Sequence, residues 1–452
     1  MYRKKDFDLI NLNIDKIKSE AIEKYKTLYE PTYKEMTLVY NLIKNYIIKT
    51  NKIVYGGIAQ NLFIKQKNPK DVFYKEINGV FYNWPNLADI EFYSFNPIQD
   101  AVNITELLLK SGFKNIEAKE GVHPDTYKLF INFINYCDIS YLPIYIYNNL
   151  PTQIINNMRC TNIYFMLADS YRVLTDPLTS YWRLDKTINR SQLLLTYYPF
   201  KKIIKNIDSF NIFKSNNNII LKFIRKKIIH SLKLIVVGYY AYNYYSKKVS
   251  KNLLLHNIPY YEAISEDLNK TGKYIYKILI KKYGNNISTK EYFPFFLFID
   301  KKIEYYYKQN LIFILYGNNN RCTVYNFSKK KNTYFGTFNL VLMYMLFNYI
   351  YYTINKYKNA DLFLLLINKL IEIRNIYLNK HNISVLDKSP FYDFTINCIG
   401  TTIDPIRLSL IEKKKKFKYT PSGKPIEINY KFNNIYGNQI LNKKYLILKN
   451  NI

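Results

Sequence analysis

The sequence predicts an α+β protein of two domains: a strand-and-helix core behind a helical preface, then a second module of related pattern with added helices. Length and composition support this. The chain has 452 residues, long for one domain, and 48% of them are hydrophobic, including 48 Tyr and 28 Phe, so there is ample material for cores and no sign of disorder. From about residue 50, short apolar runs ending in glycine or polar turns alternate with segments of helical spacing.

In chain order, residues 8–29 and 32–49 read as two helices broken at Pro31, and 1–50 is taken as an N-terminal helical segment. The core, 51–205, has strands at 52–55, 89–95, 127–133 and 136–142 and helices at 58–65, 98–111, 162–174 and 179–196. Asp176-Pro177 marks the entry to the last helix. The Asn-rich run 206–218 suggests a linker, and 206–452 is assigned to the second module. The tail carries four lysines at 413–416, read as a solvated surface.

Lys and Arg number 66 against 34 Asp and Glu, a net charge of +32. Such an excess draws polyanions, nucleic acid above all. An AT-rich genome writes the same Lys, Asn, Ile and Tyr bias through its codons, so arginine is the sharper signal. Only nine occur, and Arg159, Arg172, Arg183 and Arg190 fall in one short stretch. Planar guanidinium groups suit phosphate, which makes Arg172, Arg183 and Arg190 candidate contacts to nucleic-acid phosphates. Solvated helix faces or salt bridges are the alternative reading.

The four cysteines are far apart, with no C-x-x-C and only four His. Neither a zinc site nor a disulfide framework is expected. The first fifteen residues lack a signal-type apolar core, and the longest apolar run, 338–354, is interrupted by Asn and crowded with Tyr. It reads as a buried helix in a soluble protein and not as a membrane span.

The chemistry gathers in three places. I53-V-Y-G-G-I-A-Q-N-L62 is an apolar strand that ends in Gly56-Gly57 and opens a helix; paired glycines let backbone approach a polyphosphate, and a helix N-terminus offers it unpaired N–H groups. Thirty-two residues after Gly57 stands Asp89-Ile90-Glu91. Residues i and i+2 of a strand share a face, so both carboxylates point one way while Ile90 and Phe92 point into the core. Asp138 sits in the largely apolar run N135-Y-C-D-I-S-Y-L142, where a buried charge is costly unless paired or metal-bound. Singly, each pattern is also an ordinary turn, strand face or ion pair. Together they are what two-metal phosphoryl chemistry needs.

A repeat links the two halves. Val54-x-Gly56-x-x-Ala59-x-Asn61 recurs as Val236-x-Gly238-x-x-Ala241-x-Asn243, and Glu91 and Ser94 correspond to Glu262 and Ser265. Asp89 meets Tyr260 and Gly57 meets Tyr239. Either the domain was duplicated and the second copy is catalytically dead, or a biased composition has repeated itself.

An apolar strand with Gly-Gly, then D-x-[DE], then a lone Asp on a later strand resembles the DNA polymerase β-like nucleotidyltransferase signature. Segments 86–94, 119–130, 135–141, 176–184 and 391–405 are similar to poly(A) polymerase catalytic subunits of giant viruses; poxvirus and asfarvirus enzymes are more distant. The resemblance implies a catalytic nucleotidyltransferase domain followed by a degenerate, inactive one. It implies Gly56 and Gly57 on the triphosphate, and Asp89, Glu91 and Asp138 on two Mg²⁺ or Mn²⁺ ions. ATP would be the donor and a single-stranded RNA 3′ end the acceptor, in a homodimer of the virion and host cytoplasm without a membrane role. Glu91 departs from the aspartate of many relatives, and its longer reach would move the metal. Two rivals share the signature: a CCA- or U-adding transferase, and a non-catalytic RNA-binding subunit, against which the three carboxylates argue.

Overall fold

The computed structural model describes residues 2–28, 32–77, 79–83, 86–121, 125–205, 207, 210, 218–403, 418–419 and 425–426. The lysine run 413–416 and most of the Asn-rich run 206–218 lie outside the described residues. Packing divides the chain into two compact units, Met1–Tyr141 with Gln153–Cys160, and Leu142–Thr152 with Thr161–Ile452.

The first unit opens with helices α1 (Lys4–Leu28) and α2 (Tyr33–Lys49). Thr32 starts α2 with a capping box: its hydroxyl accepts from the Glu35 N–H, and the Glu35 carboxylate accepts from the Thr32 N–H. Strand β1 (Ile53–Val54) leads into α3 (Gly56–Lys67). A small meander follows, β2 (Lys75–Ile77), β3 (Val80–Asn83) and β4 (Asn86–Leu87), then β5 (Ile90–Ser94), α4 (Pro97–Lys110), β6 (Ile116–Glu120), β7 (Thr126–Ile131) and β8 (Ile134–Tyr141). With β9 (Thr152–Ile155) and β10 (Met158–Thr161) these build a seven-stranded sheet in the order β6-β7-β8-β5-β1-β10-β9. Lys52, between α2 and β1, makes a buried 2.7 Å ion pair with Asp100 of α4, and the Tyr46 hydroxyl donates to the same carboxylate.

The second unit begins with α5 (Ile144–Asn149), α6 (Ile163–Leu174), α7 (Pro177–Ser180) and α8 (Leu184–Tyr197). A helix was expected through 179–196; a 3₁₀ turn at Tyr181–Arg183 breaks it. Then come α9 (Asn218–Ile224), β11 (Ile235–Val237), α10 (Gly238–Ser246), β12 (Tyr261–Ser265), α11 (Leu268–Tyr283), β13 (Ile287–Tyr292), β14 (Lys302–Tyr307), β15 (Asn310–Gly317), β16 (Thr323–Ser328) and β17 (Thr333–Gly336). The last large elements are α12 (Phe338–Ile354), α13 (Ala360–His381) and β18 (Cys398–Ile399). Helix α12 is apolar and buried on nearly every side, as its composition suggests. No described helix is long and apolar enough to cross a membrane.

The second sheet runs β13-β14-β15-β12-β11-β17-β16-β18, the first sheet's order with one strand added at its end. The equivalence holds residue by residue. Val54 pairs antiparallel with Phe92 as Val236 does with Ala263, and Val54 pairs parallel with Cys160 as Val236 does with Phe335. Even the register shift in β7–β8 at Leu129/Phe130 recurs in β14–β15 at Tyr305/Tyr306. Composition bias can imitate a motif, but it does not reproduce a sheet order and an irregularity within it. The sheet and glycine helix of the second unit duplicate those of the first.

The repeated asparagine has a clear role. Asn61 accepts from the N–H groups of Phe73 and Tyr74 at 3.0 and 2.9 Å. Asn243 accepts from the Leu255 N–H at 2.7 Å and donates to its carbonyl at 2.9 Å. In each copy the amide pins the loop that follows the glycine helix.

One expectation is corrected. Cys322 and Cys398, 76 residues apart in sequence, form a disulfide with Cα atoms 5.2 Å apart. Strand β18 pairs antiparallel with β16 at the sheet edge, with Val324 opposite Cys398, and this brings the two together. No sequence spacing could announce such a pairing. Cys137 and Cys160 are free and buried.

Candidate active site

Strand β1 delivers Gly56 at φ +66°, a left-handed conformation that favours glycine, and a Cβ there would collide with the Glu91 carboxylate. That carboxylate accepts from the Gly57 N–H at 2.8 Å. Glu91 thus occupies the first turn of α3, where an N–H group without a helical partner attracts an anion. Ile90 and Phe92 are buried and Asp89 and Glu91 half-buried, as the alternation requires.

Strand β8 lies parallel to β5 with Asp138 directly opposite Glu91. Asp138 is held from two sides. Lys128, its cross-strand partner on β7, reaches Oδ2 at 2.5 Å, and Asn135 Nδ2 donates to Oδ1 at 2.9 Å. The same Asn135 amide lies 3.3 Å from Asp89 Oδ2 and so joins two of the three carboxylates, while its own Oδ1 is buried without a hydrogen bond. Tyr55, just before the glycine pair, stacks on Tyr93 at 3.9 Å and bonds the Ser140 hydroxyl at 2.6 Å, fixing β1 against β5 and β8.

Gly56 and Gly57 at the start of α3 just after β1, Asp89 just before β5, Glu91 on β5 and Asp138 on β8 are therefore carried by three neighbouring strands of one sheet. The donors are all carboxylate oxygens, which suit a hard cation such as Mg²⁺ or Mn²⁺. Among the described residues no three acidic, His or Cys side chains are gathered closely enough to hold a metal ion. Glu91 is turned to the Gly57 N–H and Asp138 to the Lys128 ammonium. The fit lies in this exchange: Lys128 supplies positive charge to Asp138, and a cation can take its place. Sequence reasoning missed Lys128 and Asn135. Lys128 was legible only through the pairing of β7 with β8, which a register shift obscures.

Arg172, Arg183 and Arg190 lie in the second unit, whereas Arg159, on β10, belongs to the first. Arg172 on α6 makes a two-point ion pair with Asp169 at 2.7 and 2.9 Å. Arg183 lies over the Trp182 ring at 5.2 Å, and Arg190 is on α8. Arg321, not singled out in the sequence, comes within 3.7 Å of Asp176.

At the equivalent place in the second unit, Gly238 keeps φ +63° and Glu262 keeps its position beneath it. The rest is gone. Tyr260 stands for Asp89 and Tyr239 for Gly57, their rings edge-to-face at 5.3 Å. The register partner of Glu262 is Ile314 where Asp138 faces Glu91, and the partner of Ile314 is Glu304 where Lys128 faces Asp138. Glu262 is 1% exposed, accepts from Tyr316 at 2.9 Å and Asn348 at 3.2 Å, and burial raises its pKa from the ordinary glutamate value. The folded state then holds a proton that the unfolded chain releases above about pH 4.3, so this group costs stability as pH rises past that value. Glu262→Gln is expected to leave the protein as stable or more stable at pH 7 and to flatten its stability between pH 4 and 7. Denaturant titrations across that range check it; a large loss of stability at pH 7 would show that the ionised form is needed.

Comparison with known proteins decides the family. A model described as "Poly(A) polymerase catalytic subunit" matches residues 41–180, and one described as "APMV, Putative poly(A) polymerase, catalytic subunit, C-terminal" matches 192–450. A "Putative poly(A) polymerase catalytic subunit" of Acanthamoeba polyphaga mimivirus is 31% identical over a 504-residue alignment spanning 99% of this chain and 84% of that protein. The chain belongs to the family of poly(A) polymerase catalytic subunits. A crystal structure of the Megavirus polyadenylate synthase superposes with a TM-score of 0.78 at 25% identity, covering 96% of this chain and 97% of that one. An African swine fever virus (strain Badajoz 1971 Vero-adapted) relative is 24% identical over 180 residues, 38% of this chain and 36% of its own. The family accounts for the two-domain α+β architecture and makes the chain a viral nucleotidyltransferase.

Proposed function

We propose that this poly(A) polymerase adds AMP from ATP to RNA 3′ ends without a template, at the site formed by Gly56, Gly57, Asp89, Glu91 and Asp138. The observation that carries the reading is the contrast between duplicates: one copy keeps three carboxylates beside a positive-φ glycine turn, and the other has lost two of them. The glycine turn and the N-terminus of α3 bind the triphosphate, with the Gly57 N–H freed from Glu91 as the nucleotide enters. Asp89, Glu91 and Asp138 would hold two Mg²⁺ or Mn²⁺ ions, which when bound acidify the RNA 3′-hydroxyl and neutralise the leaving pyrophosphate. The 3′ oxygen bonds the α-phosphorus as the bond to the β-phosphate's bridging oxygen breaks, and pyrophosphate departs. Asn135 keeps Asp89 and Asp138 at a fixed spacing, and the stacked Tyr55 and Tyr93 hold β1 and its glycine turn in place.

The active form is a homodimer, present in virion and host cytoplasm. Extension of a short RNA with each of the four NTPs, with Mg²⁺ or Mn²⁺, tests the activity: ATP alone should support long products. Preference for CTP or UTP would move the chain to the rival transferases, and no extension with any metal would make it a binding subunit. Titration with a non-hydrolysable ATP analogue should give one site per chain, because Tyr239 and Tyr260 fill the second anion site. Two sites per chain would contradict that account.

A further inference from the structure

Burial is the usual fate of a tryptophan, and two adjacent aromatic rings left in water are uncommon on a surface without a partner. The 3₁₀ turn at Tyr181–Arg183 does this: Tyr181 is 72% and Trp182 63% exposed, with Leu178 48% exposed beside them. The surroundings are basic. Arg183 lies over the Trp182 ring, and the charges of Arg172, Arg183 and Arg321 all bear on Asp169. Asp169 is already engaged by Arg172, and Asp176 by Arg321 and by the Thr179 hydroxyl at 2.5 Å. Lys186 and Arg190 follow on α8. With Asp185 counted, the cations Arg172, Arg183, Lys186, Arg190 and Arg321 still outnumber the acids Asp169, Asp176 and Asp185, and Arg183 sets one of those cations against an exposed ring.

From this we infer that Tyr181 and Trp182 form a base-stacking platform for single-stranded RNA, with Arg183 and its neighbours taking the flanking phosphates. Every base has a π-face, so stacking on aromatic side chains grips a strand with little regard to sequence. A guanidinium against the ring adds a cation–π contact and a phosphate partner in one group. An enzyme that extends an RNA end needs such a grip, since its substrate is unpaired. The charge argues against a protein partner: interface cores are depleted of charged residues, whereas here the Arg183 guanidinium lies against the exposed Trp182 ring. The proposal rests on RNA being the substrate, as set out above. It goes beyond that reading in placing an RNA contact in the second unit.

The chain has only two tryptophans, which makes intrinsic fluorescence a direct probe. Oligo(A) RNA added to the full-length protein at low salt should quench tryptophan emission with saturation. Trp182→Phe should abolish most of that quench yet bind RNA within about twofold of wild type, because a ring remains to stack. Trp182→Ala should lose the quench and weaken RNA binding about tenfold or more. Heparin, a polyanion without bases, should displace the RNA and restore emission. Undiminished quenching in Trp182→Phe, or equal quenching by heparin, would overturn the platform. So would wild-type RNA affinity in Trp182→Ala, and if that variant also changed oligomeric state it would assign the rings to a second copy of the chain. The two readings fail separately: quenching without ATP-dependent extension sinks the polymerase activity alone, and extension without quenching sinks the platform alone.

Discussion

Asp89→Asn and Asp138→Asn are each expected to lower AMP incorporation on the order of 10³-fold or more while RNA affinity stays within a few-fold. The magnitude follows from the several kcal/mol that a metal site contributes to a phosphoryl-transfer transition state, at about 1.4 kcal/mol for each tenfold in rate. RNA affinity comes mainly from phosphates neutralised by Lys and Arg and from released counterions, and the Arg172–Arg183–Arg321 cluster belongs to the other compact unit. The two variants should differ in one respect. Asn at 138 removes the charge that Lys128 now faces, so its melting temperature should fall further than that of Asp89→Asn. Primer extension, RNA binding and thermal melts on the same preparations check this. RNA binding lost in proportion to activity would show that the carboxylates are structural.

The two repeated glycines offer the second large effect, with opposite outcomes for one chemical change. Both have positive φ, so alanine at either costs about 1–2 kcal/mol in backbone conformation. At both, the new methyl meets a glutamate. Glu91 is half-buried and can swing toward solvent. Glu262 is enclosed and tied to Tyr316 and Asn348, and displacing it breaks hydrogen bonds at about 1–3 kcal/mol. Gly238→Ala should therefore destabilise its unit by about 2–5 kcal/mol, seen as an earlier transition in denaturant. Gly56→Ala should be milder for stability but, if the proposed nucleotide site is right, should abolish extension, because the methyl would stand where that proposal puts the triphosphate. Equal destabilisation with retained activity in Gly56→Ala would remove the glycine turn from the nucleotide site.

Much of this was legible in the chain. The glycine turn, the D-x-E strand and Asp138 could be read because local spacing alone fixes which side chains share a face or open a helix. The same holds for the duplicate, whose Val-Gly-Ala-Asn spacing survived. What stayed hidden depends on long-range register. Lys128 and Asn135 reach the carboxylates only once β7 and β8 are paired around their irregularity. Arg321 matters only once the fold brings it to Asp176, and the Cys322–Cys398 bond needs β16 and β18 to meet across 76 residues of chain. The exposed Trp182 was concealed by a helical pattern that a single 3₁₀ turn interrupts.

The filled anion site of the second copy also closes a road. Reviving it needs a carboxylate in place of Tyr260 and of Ile314, and a bare backbone in place of Tyr239. Taken singly, each change harms the fold. An aspartate for Tyr260 would be a buried charge among the rings of Tyr239 and Tyr352. One for Ile314 would stand between Glu262 and Glu304, where the Lys302 ammonium is already paired with Glu304. Glycine for Tyr239 would empty a large cavity in a packed interior. No intermediate regains function, and all lose stability. The duplication has therefore become a one-way step, and the two halves of the chain are no longer free to exchange roles.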